Sequence, residues 1–194
     1  MEKRVFQEFE KICSTREIRG SVLEVGATPE DSSLLNMKSL QKAVEKIGIN
    51  LDGPYTYKGF FVIKGNANAM SSFEEGRFDA VLCNSVFEHD KFFWKTLDEI
   101  KRVTKSGGLI VLGAPGYRVS KTERYFHGFF KRIPFLSHFF WAKSTITLCM
   151  HYYPGDYYRF SPQAFKEVFF EGMDAVEIRI ILSPPRIIGW GIKP

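Results

Sequence analysis

The chain has 194 residues, 44% of them hydrophobic and 25% charged, which suits one globular domain and excludes a disordered or fibrous chain. At this length a core can bury roughly 70% of the surface of the unfolded chain, so neither a disulfide nor a metal is needed to hold it. The net charge of +5 permits an acidic partner without requiring one, and nucleic-acid binding would need those charges gathered on one face.

In chain order, Val5, Phe6, Phe9, Ile12 and Cys13 fall at helical spacing, predicting an amphipathic helix over 3–18 that Gly20 breaks. The run 21–27 (SVLEVGA) reads as a strand with a carboxylate inside it, and the turn after it leads into a weak helical stretch over 32–46. Strands follow at 46–54, 60–65 and 78–85. Residues 91–108 give a helix whose basic residues crowd its last turn, with Gly107 and Gly108 as the stop. The continuously apolar 109–115 suits a strand covered on both faces. Ser161 and Pro162 open a helix to about Phe170, and 174–182 with 186–192 form a closing hairpin. This alternation predicts an α/β fold: a doubly wound, mostly parallel seven-stranded sheet with an antiparallel end. Cys13, Cys83 and Cys149 are odd in number and lack ligand spacing, so neither a disulfide framework nor a metal site is expected. The N-terminus offers no signal-peptide core and no run approaches ~18 apolar residues, so a cytoplasmic setting is expected.

Ligands of open α/β sheets bind beyond the carboxyl ends of the strands. There the sequence places Glu24, Gly26 and Ala27, then Asn50, Leu51 and Asp52, then Asn66 and Ala67, then Asn84 and Ser85. Small residues allow close backbone approach, and the polar side chains can take a hydroxyl, an amine or a base edge. Taken singly, each residue is weak evidence and is better explained as a turn former or loop cap.

The order of these pieces resembles the class I S-adenosylmethionine-dependent methyltransferases, of the small methyltransferase-domain type. VLEVGAT is similar to the family's first motif, GRFDAVLCNSVFEH to its fourth-strand motif, and EIKRVTKSGGLIVLGAPG to its fifth-strand segment. The resemblance implies S-adenosylmethionine as cofactor, with Gly26 and Ala27 under its methionine part and Glu24 near its amine. It likewise implies Asn50, with Leu51 beside it, at the ribose, Asn66 and Ala67 at the adenine, and Asn84 and Ser85 on the methionine side. The sequence departs from the family at Thr28 and Glu30, which stand where glycines are usual, and at Asn50 and Asn66, which stand where Asp is usual. These departures motivate the alternative of a methyltransferase-fold scaffold with a weakened or lost cofactor site, acting as a binding or interaction protein.

Residues 118–143 carry six basic side chains against Glu123 alone, which accounts for the whole charge excess. Aromatic residues crowd 125–160. In the family, an insertion after strand five lies over the acceptor side, so 117–160 reads as an aromatic, basic lid within a single domain of 1–194. An accessory core, a homodimer contact and attachment to an anionic membrane surface are the other readings. HYYPGDYYRFSP (151–162) also resembles a signature of this branch. Its Asp156, Tyr157 and Arg159 are candidate substrate residues, or a frame that merely locks the loop. His89 and His151 are the candidate general bases, because an imidazole can take a proton from a hydroxyl or amine. The tetrapeptide and the Pro-Cys pair of nucleic-acid methylating relatives are missing, which disfavours a nucleic-acid partner. The expected acceptor is an oxygen or nitrogen of a small molecule or of a glycan or lipid precursor.

Overall fold

The computed structural model describes residues 1–116, 155–182 and 185–194. His151, Cys149 and the stretch 117–154 of the aromatic segment lie outside them.

Helix α1 (Lys3–Ser14) starts where the Glu2 carboxylate accepts the backbone N–H groups of Arg4 and Val5 at 3.0 and 3.2 Å. It ends four residues before the expected 18, because the Ser14 and Thr15 hydroxyls donate to the carbonyls of Lys11 and Ile12 and satisfy the last turn locally. Val5, Phe9, Ile12 and Cys13 form its buried stripe.

Strands β1 (Ser21–Val25), β2 (Glu45–Asn50), β3 (Tyr55–Tyr57), β4 (Phe60–Lys64), β5 (Phe78–Asn84), β6 (Thr104–Pro115), β7 (Asp174–Leu182) and β8 (Pro185–Ile192) make one sheet in the order β3-β4-β2-β1-β5-β6-β8-β7. The central five strands are parallel, β3 pairs antiparallel with β4, and β7 and β8 form the antiparallel end. All seven expected strands are present. The eighth, β3, is three residues long and doubles back on β4 through Lys58 and Gly59, too short a segment for alternation to announce it.

Two expected helices are corrected. The stretch 32–46 holds only two 3₁₀ turns, Leu34–Asn36 and Lys38–Leu40, because Met37 between them adopts an extended conformation (φ −59°, ψ 140°) that interrupts the helical hydrogen bonds. The helix expected over 91–108 is α2 (Phe93–Val103). From Thr104 the chain is already strand, its hydroxyl closing the helix on the Ile100 carbonyl at 2.6 Å. Helix α3 (Pro162–Ala164), capped by the Ser161 hydroxyl, continues as a π turn over Phe165–Phe169.

Strand alternation sorts the core into two layers. Val22, Ala80, Leu82, Leu109 and Val111 face α1 and the 3₁₀ turns, whereas Leu23, Val25, Val81, Cys83, Ile110 and Leu112 face α2 and the Phe165–Phe170 cluster. Full burial of each such side chain contributes about 1.5–3 kcal/mol before the entropy of ordering it. Covered faces leave the carboxyl edge of the parallel strands as the open end, and β1 and β5, from which the chain winds in opposite directions, lie side by side there.

Candidate functional site

At that edge lies a cavity of about 450 Å³ lined by Val25, Gly26, Thr28, Ile49, Asn50, Leu51, Gly65, Asn66, Ala67, Asn68, Ser85, Val86, His89 and Asp90. Its size lies within the range of small-ligand sites, and its place is the switch point of a doubly wound sheet.

Gly26 ends β1 with φ +82°, and a Cβ there would lie 2.4 Å from Val86 Cγ2. Only glycine lets the turn after β1 pass this close to the turn after β5. Its N–H donates to the Ile49 carbonyl at 2.9 Å, tying the turn to β2.

Alternation decides which neighbours reach the cavity. Glu24 shares a face with Val22 and is buried on the α1 side, where its carboxylate accepts the Ser33 hydroxyl at 2.5 Å and the N–H groups of Leu34 and Leu35 at 3.2 and 3.3 Å. Burial raises its pKa, and those hydrogen bonds pull the other way. Glu24 thus holds the 3₁₀ turn together and is not among the cavity's lining residues. Ala27 is also buried behind the surface. Its carbonyl accepts the Asn50 side-chain amide at 2.7 Å and the Tyr55 hydroxyl, so Tyr55 of the extra strand braces the turn. Asn84 points toward α1 as well, and its Oδ1 is buried without a hydrogen-bond partner.

Of the residues anticipated at the strand ends, the cavity brings together Gly26, Asn50, Leu51, Asn66, Ala67 and Ser85, along with His89 from the turn after β5. Asn50 Oδ1 accepts the Asp52 N–H at 3.2 Å and Asn66 Oδ1 the Asn68 N–H at 2.9 Å, so both side chains shape their own turns while bordering the cavity. Leu51 is 64% exposed, an apolar group left at the rim. Ser85 takes the left-handed conformation (φ +58°), held by its N–H on the Gly113 carbonyl and by its hydroxyl, which accepts from Asn84 Nδ2 and Arg186 Nη1 at 3.0 Å each. Strain of this kind persists only where the surroundings fix it.

Sequence reasoning missed Asn68 and Asp90. Asp90 is the one carboxylate bordering the cavity among the described residues. Its Oδ2 accepts Asn68 Nδ2 at 2.6 Å and the Thr96 hydroxyl at 2.7 Å, and its Oδ1 accepts the Phe92 N–H at 2.9 Å in the turn that precedes α2. The available signal was an Asp just before a helical run, a usual turn and capping position.

Asp156 and Arg159 form a two-point ion pair, Nη2 to Oδ2 at 2.6 Å, with side chains 7% and 14% exposed. They pair with each other, and neither is among the described residues that line the cavity. Tyr157 is half exposed, its N–H donating to the Glu88 carbonyl at 2.7 Å. Cys13 and Cys83 are buried, and burial pushes both thiols up, Cys13 to about 12, so neither is an available nucleophile. Among the described residues no group of three His, Cys, Asp or Glu could hold a metal ion, and no helix is long and apolar enough to cross a membrane.

The sequence matches the family described as "Methyltransferase domain" over residues 31–112. No curated protein matches it. Among solved structures, the fold is similar to phosphoethanolamine N-methyltransferase 2 of Haemonchus contortus in complex with S-adenosyl-L-methionine (TM-score 0.63, 12% identity, 99% of this chain and 53% of that one). It is also similar to a SAM-dependent methyltransferase of Archaeoglobus fulgidus (TM-score 0.66, 14% identity, 98% of this chain and 94% of that one). The chain spans about half the length of the nematode enzyme. The family match and the shared fold bear out the resemblance to class I S-adenosylmethionine-dependent methyltransferases.

Proposed function

We propose that this chain transfers a methyl group from S-adenosylmethionine to an oxygen or nitrogen of a small molecule or of a glycan or lipid precursor. The observation that carries this reading is the cavity at the β1/β5 switch point, with Gly26, Asn50, Leu51, Asn66 and Ser85 around it, in a chain matching the methyltransferase-domain family. Those residues fit the cofactor: a glycine turn at Gly26 packed on Val86, amides for neutral hydroxyls and a base edge, an apolar rim residue and, among the described residues, one carboxylate for a ligand of net positive charge.

In this reading Gly26 and Thr28 support the methionine part, Asn50 the ribose hydroxyls, and Leu51, Asn66 and Ala67 the adenine. Asp90, rather than Glu24, supplies the negative charge, since Asp90 borders the cavity and the Glu24 carboxylate is buried on the α1 side. When bound, the cofactor supplies an electrophilic methyl group on a sulfonium sulfur. The protein's own work is then mainly positioning and exclusion of water, with His89 at the cavity able to take the proton that an attacking hydroxyl or amine gives up.

One observation favours the alternative of a scaffold with a weakened site: Asn50 and Glu24 both spend hydrogen bonds on the protein itself. Titration calorimetry with S-adenosylmethionine and S-adenosylhomocysteine separates the two. Saturable binding with Kd below about 1 mM, some 4 kcal/mol, is expected. Its absence at millimolar ligand contradicts the enzyme reading and leaves the scaffold.

A further inference from the structure

Immediately beyond the cavity rim at His89 and Asp90 the chain exposes an unusual set of side chains. Phe92 is 48% exposed, Trp94 46% and Tyr157 48%, and Lys91 and Lys95 stand in solvent among them. Ring and cation contacts join them into one surface. The Lys91 ammonium lies 5.3 Å from the Tyr157 ring centroid and the Lys95 ammonium 5.1 Å from that of Phe92. Phe92 and Trp94 meet nearly at right angles with centroids 5.7 Å apart, and the Tyr158 hydroxyl donates to the Lys91 carbonyl at 2.9 Å. Among the described residues, the nearby carboxylates are engaged or buried: Asp90 is engaged by Asn68, Thr96 and the Phe92 N–H, Asp156 by Arg159, and Glu88 is buried beside Arg186. The next exposed carboxylate along α2 is Asp98, a turn beyond Trp94.

We propose that Lys91, Phe92, Trp94, Lys95 and Tyr157 dock this chain on an anionic lipid interface. Amphipathic aromatic rings beside lysines suit the boundary between headgroups and acyl chains, where rings enter the apolar side and ammonium groups meet lipid phosphates. A single-stranded nucleic acid would need open ring faces for base stacking. Here Phe92 and Tyr157 each already carry a lysine over the ring, which favours the lipid surface. The docking does not depend on methyl transfer. Combined with that reading, it brings the cavity mouth to a membrane and selects lipid-linked precursors from the acceptor classes named above.

The test is co-sedimentation of the full chain with phosphatidylcholine vesicles, with and without phosphatidylglycerol, at low and high salt. Binding is expected only to the anionic vesicles and fades with salt. Phe92→Ser with Trp94→Ser weakens it by about 10-fold or more. Lys91→Gln with Lys95→Gln weakens it by about 30-fold, roughly 2 kcal/mol at ~1 kcal/mol per lysine. The lysine variant, whose side chains are exposed, keeps the wild-type unfolding midpoint, and the aromatic variant, whose rings bury about half their surface, is compared at a temperature well below its own midpoint. Three results overturn the proposal: no wild-type sedimentation, undiminished binding by both double variants, or variants that lose only an oligo(dT) ligand while vesicle binding persists.

Discussion

Replacing Gly26 by alanine tests the contact that closes the cavity floor. Two separate penalties are expected from the structure. The residue must keep φ +82°, which costs a residue with a Cβ about 1–2 kcal/mol. The new Cβ also lands 2.4 Å from Val86 Cγ2, and relieving such overpacking costs about 1–3 kcal/mol. Gly26→Ala should therefore destabilise the fold by about 2–5 kcal/mol, which for a chain of this length lowers Tm by about 4–20 °C. Because Val86 sits on the same turn as Ser85, His89 and Asp90, the substitution should also weaken S-adenosylhomocysteine binding. A double-mutant cycle with Val86→Ala, read by urea unfolding and calorimetry, separates the two parts. Val86→Ala should restore the packing share and leave the backbone share. A Gly26→Ala variant within about 0.5 kcal/mol of wild type, or one that Val86→Ala does nothing to relieve, would refute the reasoning.

Asn50→Asp, which restores the family's usual residue, should cost about 1–3 kcal/mol in urea unfolding, because a carboxylate cannot donate to the Ala27 carbonyl that Asn50 Nδ2 now reaches at 2.7 Å; wild-type stability in this variant would contradict the bracing role. For Glu24, burial raises the folded pKa above the unfolded value, so its contribution is fully present below the ordinary carboxylate range and is lost as pH rises through the raised value. The stability advantage of wild type over Glu24→Gln should shrink over that window, and a pH-independent difference in unfolding midpoints would count against it. Arg159→Ala removes a two-point ion pair from the mostly buried Asp156; a loss of about 1–3 kcal/mol is expected, with the double variant Asp156→Ala, Arg159→Ala less damaged than the single. Equal stability of wild type and Arg159→Ala would rule that out.

The parallel core was readable because β1, β5 and β6 are apolar runs closed by small residues, and the switch point followed from their order. The stretch 32–46 misled because the turn before it, TPEDSS, is rich in helix-start residues. The extended Met37 divides the stretch into two 3₁₀ turns, the first of them held from outside the window by the Glu24 carboxylate on the N–H groups of Leu34 and Leu35. In the site, Gly26, Asn50 and Ser85 could be placed from sequence because chain ends at a switch point converge. Glu24 and Asn84 stand one residue from cavity-lining neighbours, yet strand alternation turns them to the α1 side. Asp90 and Asn68 escaped notice because their roles depend on a contact across 22 residues, which no local pattern encodes.

Hydrogen exchange of the full chain with and without saturating S-adenosylhomocysteine tests most directly whether the cavity at the β1/β5 switch point is the cofactor site. Slowed amide exchange is predicted around residues 25–28, 49–51, 65–68 and 85–90. Exchange that does not change there, or protection found instead in the polar cleft at the opposite sheet edge around Arg16, Arg19 and Gly107, would contradict it.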